Sequence, residues 1–482
     1  MHPSSILRVF GIVCLIKAFW MLAPLVFAIA SEEHISQHAF AVSLGVSLFI
    51  GVTALLTTNR VKIALGKRDL AILIPIIATT ATILGALPLY LCGSFQPFFY
   101  ASFEALSGLT TTGMSLHPKP ELLSQSELLW RAILQWMGGY STLILVIWAL
   151  PYLGFGGALK AAKDGHEKHN LFPQSSFKKT LITLLTVYLV ISIVCALSLF
   201  VSGLPLFESV CYAMSTVSTG GFLVESDSPL ESGNRAVEIV IMLFMVLGAM
   251  NFVIHGKALS GSLRNYLQDQ ESQNFLILIL LSACIAVAIV DDSTKGILNF
   301  YNAMMQIISI VTTTGYPSPQ PDTFIPDFYF LLLLFLAALG GSGSSTSGGF
   351  KIARLTFFLQ QSKQELYRLI HPHSVTPINY GGHSISTDSM KVLSVFSISF
   401  IGLISLLTAF LSLNNIEFPQ AITLAIATVT NNGPNIIEIS EETNFLLELP
   451  WVAQLGLMLG MLMGRLEILC VLVLLNFSFW RN

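Results

Sequence analysis

Charge is scarce in this chain. Of its 482 residues only 11% are Asp, Glu, Lys or Arg and 54% are hydrophobic, with a mean hydropathy of +0.73. Soluble domains carry about 25% charged residues. A soluble chain of this length would fold as about three domains and need far more charge to cover them, so a soluble enzyme is excluded, as is a disordered protein. An excess of one sign is also missing: 24 Lys and Arg stand against 27 Asp and Glu, too even a balance for a nucleic-acid binder. Paired cysteines are missing too. Cys14, Cys92, Cys195, Cys211, Cys284 and Cys470 lie far apart, mostly in apolar runs, with no CxxC. They read as small apolar packers, not as a disulfide framework or a metal site. There is no Walker A sequence, and Gly154-Phe155-Gly156-Gly157 follows no Rossmann strand, so no nucleotide site is visible.

Long apolar runs are what the chain has instead, and they define an all-α polytopic membrane protein. A bilayer core of about 30 Å needs about 20 apolar residues per helix. Such runs occur at Ile6–Ala30, Ala39–Thr58, Leu70–Cys92, Leu128–Tyr152, Lys179–Val201, Ala236–His255, Asn274–Val290, Val392–Leu413 and Pro450–Phe479. The first is too long for a cleaved signal, carries Lys17 and lacks an A-x-A site, so it is expected to stay. In an alternating topology, all of the 24 basic residues except Lys119, Arg131, Arg235, Lys295 and the intramembrane Arg465 fall on one side. That side is expected to be cytoplasmic, with both termini on it. Acidic loops at Glu32/Glu33, Glu225/Asp227/Glu231, Asp322/Asp327 and Glu438/Glu441/Glu442 fall opposite, where they would enrich cations.

Four shorter segments fit no span: Phe98–Gly113, Pro205–Gly220, Phe300–Gly315 and Phe418–Gly433. Each is an amphipathic stretch, then a polar run, then glycine. The endings read Thr110-Thr111-Thr112-Gly113, Val217-Ser218-Thr219-Gly220, Thr312-Thr313-Thr314-Gly315 and Thr430-Asn431-Asn432-Gly433, with successive glycines 107, 95 and 118 residues apart. Each follows one span and precedes another. One Ser/Thr/Gly-rich loop end would be unremarkable; four in matched positions are not. The chain therefore divides into a two-helix lead (1–62) and four pseudo-symmetric helix–pore-loop–helix units around a central pore (63–160, 161–262, 263–375 and 376–482).

Non-helical backbone at membrane depth survives only beside protein or a wet cavity. Four re-entrant helices pointing inward would aim C-terminal carbonyls, about half a negative charge each, at one axis. The strands after them could replace the hydration shell of a monovalent cation with carbonyls and hydroxyls. The expected ligand positions are Thr111, Thr112, Gly113, Ser218, Thr219, Gly220, Thr313, Thr314, Gly315, Asn431, Asn432 and Gly433, with the glycines serving where φ must be positive. The competing architecture is a proton- or sodium-coupled alternating-access carrier with inverted repeats. All four units here start from the basic side, which favours a parallel fourfold arrangement; a pore with weak potassium over sodium discrimination is a further alternative.

One span is interrupted. Phe328–Leu339 stops at Gly340-Gly341-Ser342-Gly343-Ser344-Ser345-Thr346-Ser347-Gly348-Gly349, where the glycines each cost a helix about 1 kcal/mol. The break falls at about 21 Å depth, level with Arg465. An arginine in hydrocarbon needs a partner, and the loop's carbonyls and hydroxyls are the obvious one. The expectation is a gate beneath the filter made by Gly340, Gly341, Ser342, Gly343, Gly348, Gly349 and Arg465. Glu467 is not the first choice of partner, because residues two apart face different ways on a helix.

These endings resemble, in order, the four selectivity-filter segments of the Trk/Ktr/HKT potassium transporters, and over the whole chain the sequence is similar in particular to the bacterial TrkH-type membrane subunit. The Gly464-Arg465-Leu466-Glu467 run and the Gly/Ser loop of the third unit belong to the same resemblance. It implies K+ as the transported ion, since glycine stands in all four filters. It also implies an inner-membrane location, a homodimer and a cytosolic nucleotide-binding regulatory subunit of the TrkA type. The basic stretches Lys160–Lys179 and Lys351–Lys391 are candidate docking surfaces or anchors to membrane lipids.

Other chemistry is weaker. Gly341-Ser342-Gly343-Ser344 looks like a serine-protease motif but needs a histidine base, and His255, the one histidine close to a span, falls at a helix end. Glu104, Glu208 and Gln306 in the re-entrant helices read as supports behind the strands rather than as ion ligands. His166/His169 and His371/His373 read as solvated, and Gly138-Gly139 as a close-packing point.

Overall fold

A computed structural model describes residues 2–59, 61, 63, 65–117, 119–150, 174–226, 228–259, 261, 264–289, 296–318, 326–371, 379–380, 383–384, 387–433 and 445–481. The lead comprises α1 (Pro3–Ala30) and α2 (His34–Thr57). Unit 1 holds α3 (Lys67–Cys92), α4 (Phe98–Leu109) and α5 (Gln125–Ile144, extended by a π-turn over Leu145–Ala149). Unit 2 holds α6 (Gln174–Val201), α7 (Leu206–Val217), α8 (Arg235–Ala249) and α9 (Phe252–Leu259). Unit 3 holds α10 (Arg264–Gln268), α11 (Gln270–Ile289), α12 (Gly296–Val311), α13 (Asp327–Leu339) and α14 (Ile352–Ile370). Unit 4 holds α15 (Thr387–Leu413), α16 (Phe418–Val429), α17 (Trp451–Arg465) and α18 (Ile468–Leu475). Among the described residues the only strand pairing is two residues long, Asn379–Tyr380 with His383–Ser384.

Local chemistry accounts for the ends. Ser124 accepts from the Glu127 N–H while the Glu127 carboxylate accepts from the Ser124 N–H, a reciprocal cap that starts α5. Asp69 accepts from the Gly66 N–H at 3.0 Å and starts α3. The two lead helices meet through glycines: a Cβ on Gly11 would stand 2.9 Å from Ala54 Cβ, and one on Gly51 would stand 2.7 Å from Leu15 Cδ2. Small residues are what let apolar helices pack without a hydrophobic drive between them. Phe19, Val26 and Phe49 are 64%, 63% and 71% exposed, a liability in water and the expected lining against lipid.

Seven helices among the described residues are long and apolar enough to cross a bilayer, or nine if each of two bent pairs is one span. The bends correct two of the expected continuous spans. Ala236–His255 breaks between α8 and α9 with a turn of 104°, and Pro450–Phe479 breaks between α17 and α18 with a turn of 106°. Both breaks sit where the Gly/Ser loop takes the freed backbone groups or neighbouring side chains. The re-entrant helices are short as expected: α4, α7 and α16 have 12 residues each, about 18 Å. The second core cluster joins unit 4 to Phe103, Met114 and Leu116 of unit 1, so the last unit closes against the first.

Candidate functional site

The four re-entrant helices end alike. After the last helical residue comes a C-cap (Thr110, Ser218, Thr312, Thr430) and then a non-glycine residue with positive φ: Thr111 at 52°, Thr219 at 53°, Thr313 at 58° and Asn431 at 52°. This conformation costs an L-residue about 1–2 kcal/mol, so its fourfold recurrence is imposed by the surroundings. The third residue's N–H reaches back five positions: Thr112 to Ser107, Gly220 to Ser215, Thr314 to Ser309 and Asn432 to Ala427, at 2.8–3.1 Å.

That register corrects one expectation. The glycine equivalent to Gly113, Gly315 and Gly433 is Gly221, and Gly220 is equivalent to Thr112, Thr314 and Asn432. Gly113, Gly221 and Gly315 take φ of 80°, 78° and 74°. Gly433 and Gly220 do not take a positive φ; they are glycine because space demands it. A Cβ on Gly433 would stand 2.9 Å from Gly315 Cα, and one on Gly220 2.4 Å from the Gln135 amide carbon.

The endings form a closed ring. A Cβ on Gly113 would fall 2.1 Å from the Gly220 carbonyl oxygen, one on Gly221 2.0 Å from that of Thr314, and one on Gly315 2.2 Å from Gly433 Cα. The fourth joins the first through Asn431 Nδ2, which donates to Thr112 Oγ1 at 3.0 Å. Behind the ring, Gln135 donates to the Gly220 carbonyl (2.7 Å) and accepts from the Phe222 N–H (3.3 Å), while Asn432 donates to the Ile310 carbonyl at 3.0 Å. Gly138 and Gly139 are packing points, as read: a Cβ on Gly138 would meet the Leu109 carbonyl at 2.2 Å, and one on Gly139 would meet Ser218 Cβ at 2.9 Å.

Among the described residues, the chain donates no hydrogen bond to the carbonyls of Thr111, Thr112, Gly113, Thr219, Gly221, Thr313, Thr314, Gly315, Asn431, Asn432 or Gly433, all of which are buried. Thr111 Oγ1, Asn431 Oδ1 and Asn432 Oδ1 are likewise buried without a partner. Buried backbone carbonyls are satisfied in the great majority of cases. A dense ring of unsatisfied oxygens at four helix C-termini is a site made for a positive ligand.

Directly against this ring lies the Gly340–Gly349 loop. Gly348 donates its N–H to Thr313 Oγ1 at 2.7 Å, and a Cβ there would stand 1.8 Å from the Thr430 carbonyl oxygen. Thr346 Oγ1 lies within hydrogen-bond reach of the Gly248 (2.9 Å) and Val217 (3.1 Å) carbonyls, and Arg465 Nη1 donates to the Thr346 carbonyl at 2.9 Å. Ser342 N–H bonds the Ala249 carbonyl and Phe252 N–H bonds the Ser344 carbonyl, both at 2.9 Å; these bonds occupy the break between α8 and α9. Arg465 Nε and Nη2 are buried with no partner.

Several groups here escaped the sequence reading. Lys351, counted with the cytoplasmic bases, is 5% exposed, and its ammonium donates to Ser347 and Ser345 of the loop. Glu271, at the start of a span, accepts from the Gly343 N–H. Glu467 pairs with Arg354 (2.6 Å) rather than Arg465. Lys17 is buried over the Trp130 ring at 5.2 Å. Glu104 is buried against Ser115 and Leu116 of the segment after α4 (residues 111–116, strand 1; its counterpart after α7, residues 219–224, is strand 2), Gln306 accepts from the Tyr329 hydroxyl, and Glu208 is half-buried. His255 spends both ring nitrogens on Tyr266 and the Leu247 carbonyl. The six cysteines are free, and no cluster of metal-binding type occurs among the described residues. Ser226 donates to Glu121 at 2.6 Å and holds that exposed carboxyl below its usual range. His166, His169, Lys160, Lys163, Lys168, Lys295 and His373 lie outside the described residues.

Fold and site together define a membrane transport protein with four pseudo-equivalent quarters around one line. A family model described as TrkH, cation transport protein, matches residues 37–479, and the chain belongs to that family. It is 32% identical to the Trk system potassium uptake protein TrkI of Halomonas elongata over 99% of this chain and 97% of that one. It is 29% identical to the Trk system potassium uptake protein TrkH of Escherichia coli K12 over the full length of both. The crystal structure of the potassium transporter TrkH from Vibrio parahaemolyticus superposes with a TM-score of 0.91 at 28% identity, covering 100% of each chain.

Proposed function

We propose that this chain is the potassium-conducting membrane subunit of a bacterial Trk-type uptake system, seated in the inner membrane with both termini cytoplasmic. The observation that carries the reading is the ring of buried carbonyls that receive no hydrogen bond from the chain among the described residues, at Thr111–Gly113, Thr219, Gly221, Thr313–Gly315 and Asn431–Gly433. A bare potassium ion needs several oxygens at once, and a rigid ring supplies them without reorganisation. No bond is made or broken, so the chain acts as a conduit and not as an enzyme.

The Gly340–Gly349 loop closes the path on one side of the ring, with Arg465 and Lys351 adding positive charge to the barrier. Movement of the loop opens it. A cytosolic nucleotide-binding subunit of the TrkA type drives that movement in a homodimeric assembly, as the resemblance implies, with the exposed Lys363, Arg368 and Lys391 as candidate contacts.

Rubidium uptake into proteoliposomes tests the reading. Wild-type vesicles are expected to take up rubidium down its own gradient without an imposed proton gradient. Gly113→Ser and Gly315→Ser are expected to lower the preference for rubidium over sodium several-fold. A wild type that conducts nothing, or only against an obligatory proton gradient, overturns it in favour of a coupled carrier.

A further inference from the structure

Position by position, the re-entrant helices differ at the sixth residue before the C-cap. It is Glu104 in unit 1, Tyr212 in unit 2, Gln306 in unit 3 and Leu424 in unit 4. Only the first is charged, and it has a buried counter-charge. Arg131 Nε donates to Glu104 Oε1 at 2.8 Å, with the two side chains 2% and 0% exposed. Arg131 Nη2 donates to Ser115 Oγ at 3.3 Å, and Nη1 donates to the Leu223 carbonyl at 3.2 Å. Glu104 also accepts from Ser115 Oγ (3.0 Å) and from the Leu116 N–H (3.2 Å). The guanidinium stacks 4.3 Å over the Phe222 ring.

Ser115 lies two residues beyond Gly113, and Leu223 lies two residues beyond Gly221. One planar guanidinium thus grips equivalent points on two neighbouring strands, held in its plane by a carboxylate and a ring. A buried pair of this kind is weak evidence for stability, so its geometry must be explained otherwise. The other neighbouring units are joined by neutral groups: Thr216 with Tyr316 at 3.2 Å, Asn432 with the Ile310 carbonyl at 3.0 Å and Asn431 with Thr112 at 3.0 Å. Unit 3 has the neutral Gln306–Tyr329 contact within one unit, and Leu424 of unit 4 can make none.

We propose that Arg131, Glu104 and Ser115 form a strut that sets the spacing of strands 1 and 2 and thereby determines ion preference. Arg131 and Glu104 are positioning residues: neither side chain is among the oxygens of the ring. An ion smaller than potassium gains only if the carbonyls can follow it inward. A strut of fixed length across one quarter of the ring opposes that contraction. The inference rests on the proposed conduction through the ring and adds which residues hold its width.

The test is the sodium-to-rubidium permeability ratio, from reversal potentials or competitive uptake, for wild type, Glu104→Gln, Arg131→Lys and Ser115→Ala. Removing one charge leaves the other buried and unpaired, so Glu104→Gln can fail to fold; Ser115→Ala keeps the ion pair and removes its side-chain link to the strand, leaving only the Leu116 N–H bond to Glu104. Sodium permeation is expected to rise several-fold relative to rubidium in Ser115→Ala and further in Arg131→Lys, with rubidium uptake retained. An unchanged ratio in Ser115→Ala and Arg131→Lys overturns the strut. So does an equal loss of both ions, which would mark the pair as scaffold only. A wild type without cation uptake would instead sink the conduction reading, so the two failures are distinguishable.

Discussion

The ring of strand endings and the Gly/Ser loop are both irregular, buried and rich in hydroxyls, yet their polar groups meet opposite fates. In the ring, among the described residues, the carbonyls of Thr111–Gly113, Thr219, Gly221, Thr313–Gly315 and Asn431–Gly433 receive nothing from the chain, and only that of Gly220 is bonded, by Gln135. In the loop, groups are bonded one after another: Ser342 to Ala249, Ser344 to Phe252, Thr346 to Val217, Gly248 and Arg465, Ser347 to Lys351, and Gly348 to Thr313. Unsatisfied oxygens held at four helix C-termini by positive-φ caps are built to receive something that is not protein. Bonds spread across three units, each worth about 1 kcal/mol net, describe a part that is held in place and can be let go.

The sharpest break of this comparison lies in unit 2. Alanine at Gly221 must adopt φ near 78° with its Cβ 2.0 Å from the Thr314 carbonyl oxygen. Alanine at Gly220 keeps its backbone conformation and crowds a side chain, the Gln135 amide at 2.4 Å, rather than a backbone carbonyl. The preference for rubidium over sodium is expected to fall several-fold for Gly221→Ala, as for Gly113→Ser and Gly315→Ser, and to fall less for Gly220→Ala. The reverse order would restore the register in which Gly220 is the filter glycine.

The next largest effect belongs to the loop. Thr346→Val removes the one hydroxyl proton shared between the Gly248 and Val217 carbonyls, about 1 kcal/mol, which corresponds to a roughly fivefold shift toward the released loop. Arg465→Ala removes a charged donor and is expected to act in the same direction and more strongly. Both should raise basal uptake without the regulatory subunit. Unchanged basal flux in both variants would separate loop and arginine from gating.

The smallest effect is expected at the exposed Ser226–Glu121 contact. Ser226→Ala frees the Glu121 carboxyl to rise toward its ordinary value, and rubidium flux is expected to stay unchanged. A depressed carboxyl contributes stability above its unfolded value, and that contribution disappears as pH falls through the folded one. Thermal unfolding of wild type and Ser226→Ala should therefore differ slightly at neutral pH and converge in acid.

Much of this architecture is legible in residue order. Apolar runs of bilayer length, four Thr/Ser/Asn-Gly endings in matched places, and a glycine run level with an arginine locate the helices, the ring and the loop. The bends at Ala249–Phe252 and Arg465–Ile468 are not legible, because the apolar pattern runs through both. Their cause is a loop about 90 residues further along the chain in the first case and about 120 residues back in the second. Gly220-Gly221 offers two candidates for one place, and only the back-bond from Gly220 to Ser215 decides between them. Lys351 follows a glycine run and opens a basic helix, so charge counting puts it in water; its φ of 78° and its serine partners are tertiary facts.

Gly348 joins the two regions, with its N–H on Thr313 and its Cα against the Thr430 carbonyl. If the ring holds a cation as proposed, any loop movement that changes the ring's affinity is matched, by thermodynamic reciprocity, by an equal bias of the cation on the loop. External supply of the cation would then act as a signal as well as a cargo, with a starved pore and a filled one resting at different degrees of closure before any partner intervenes.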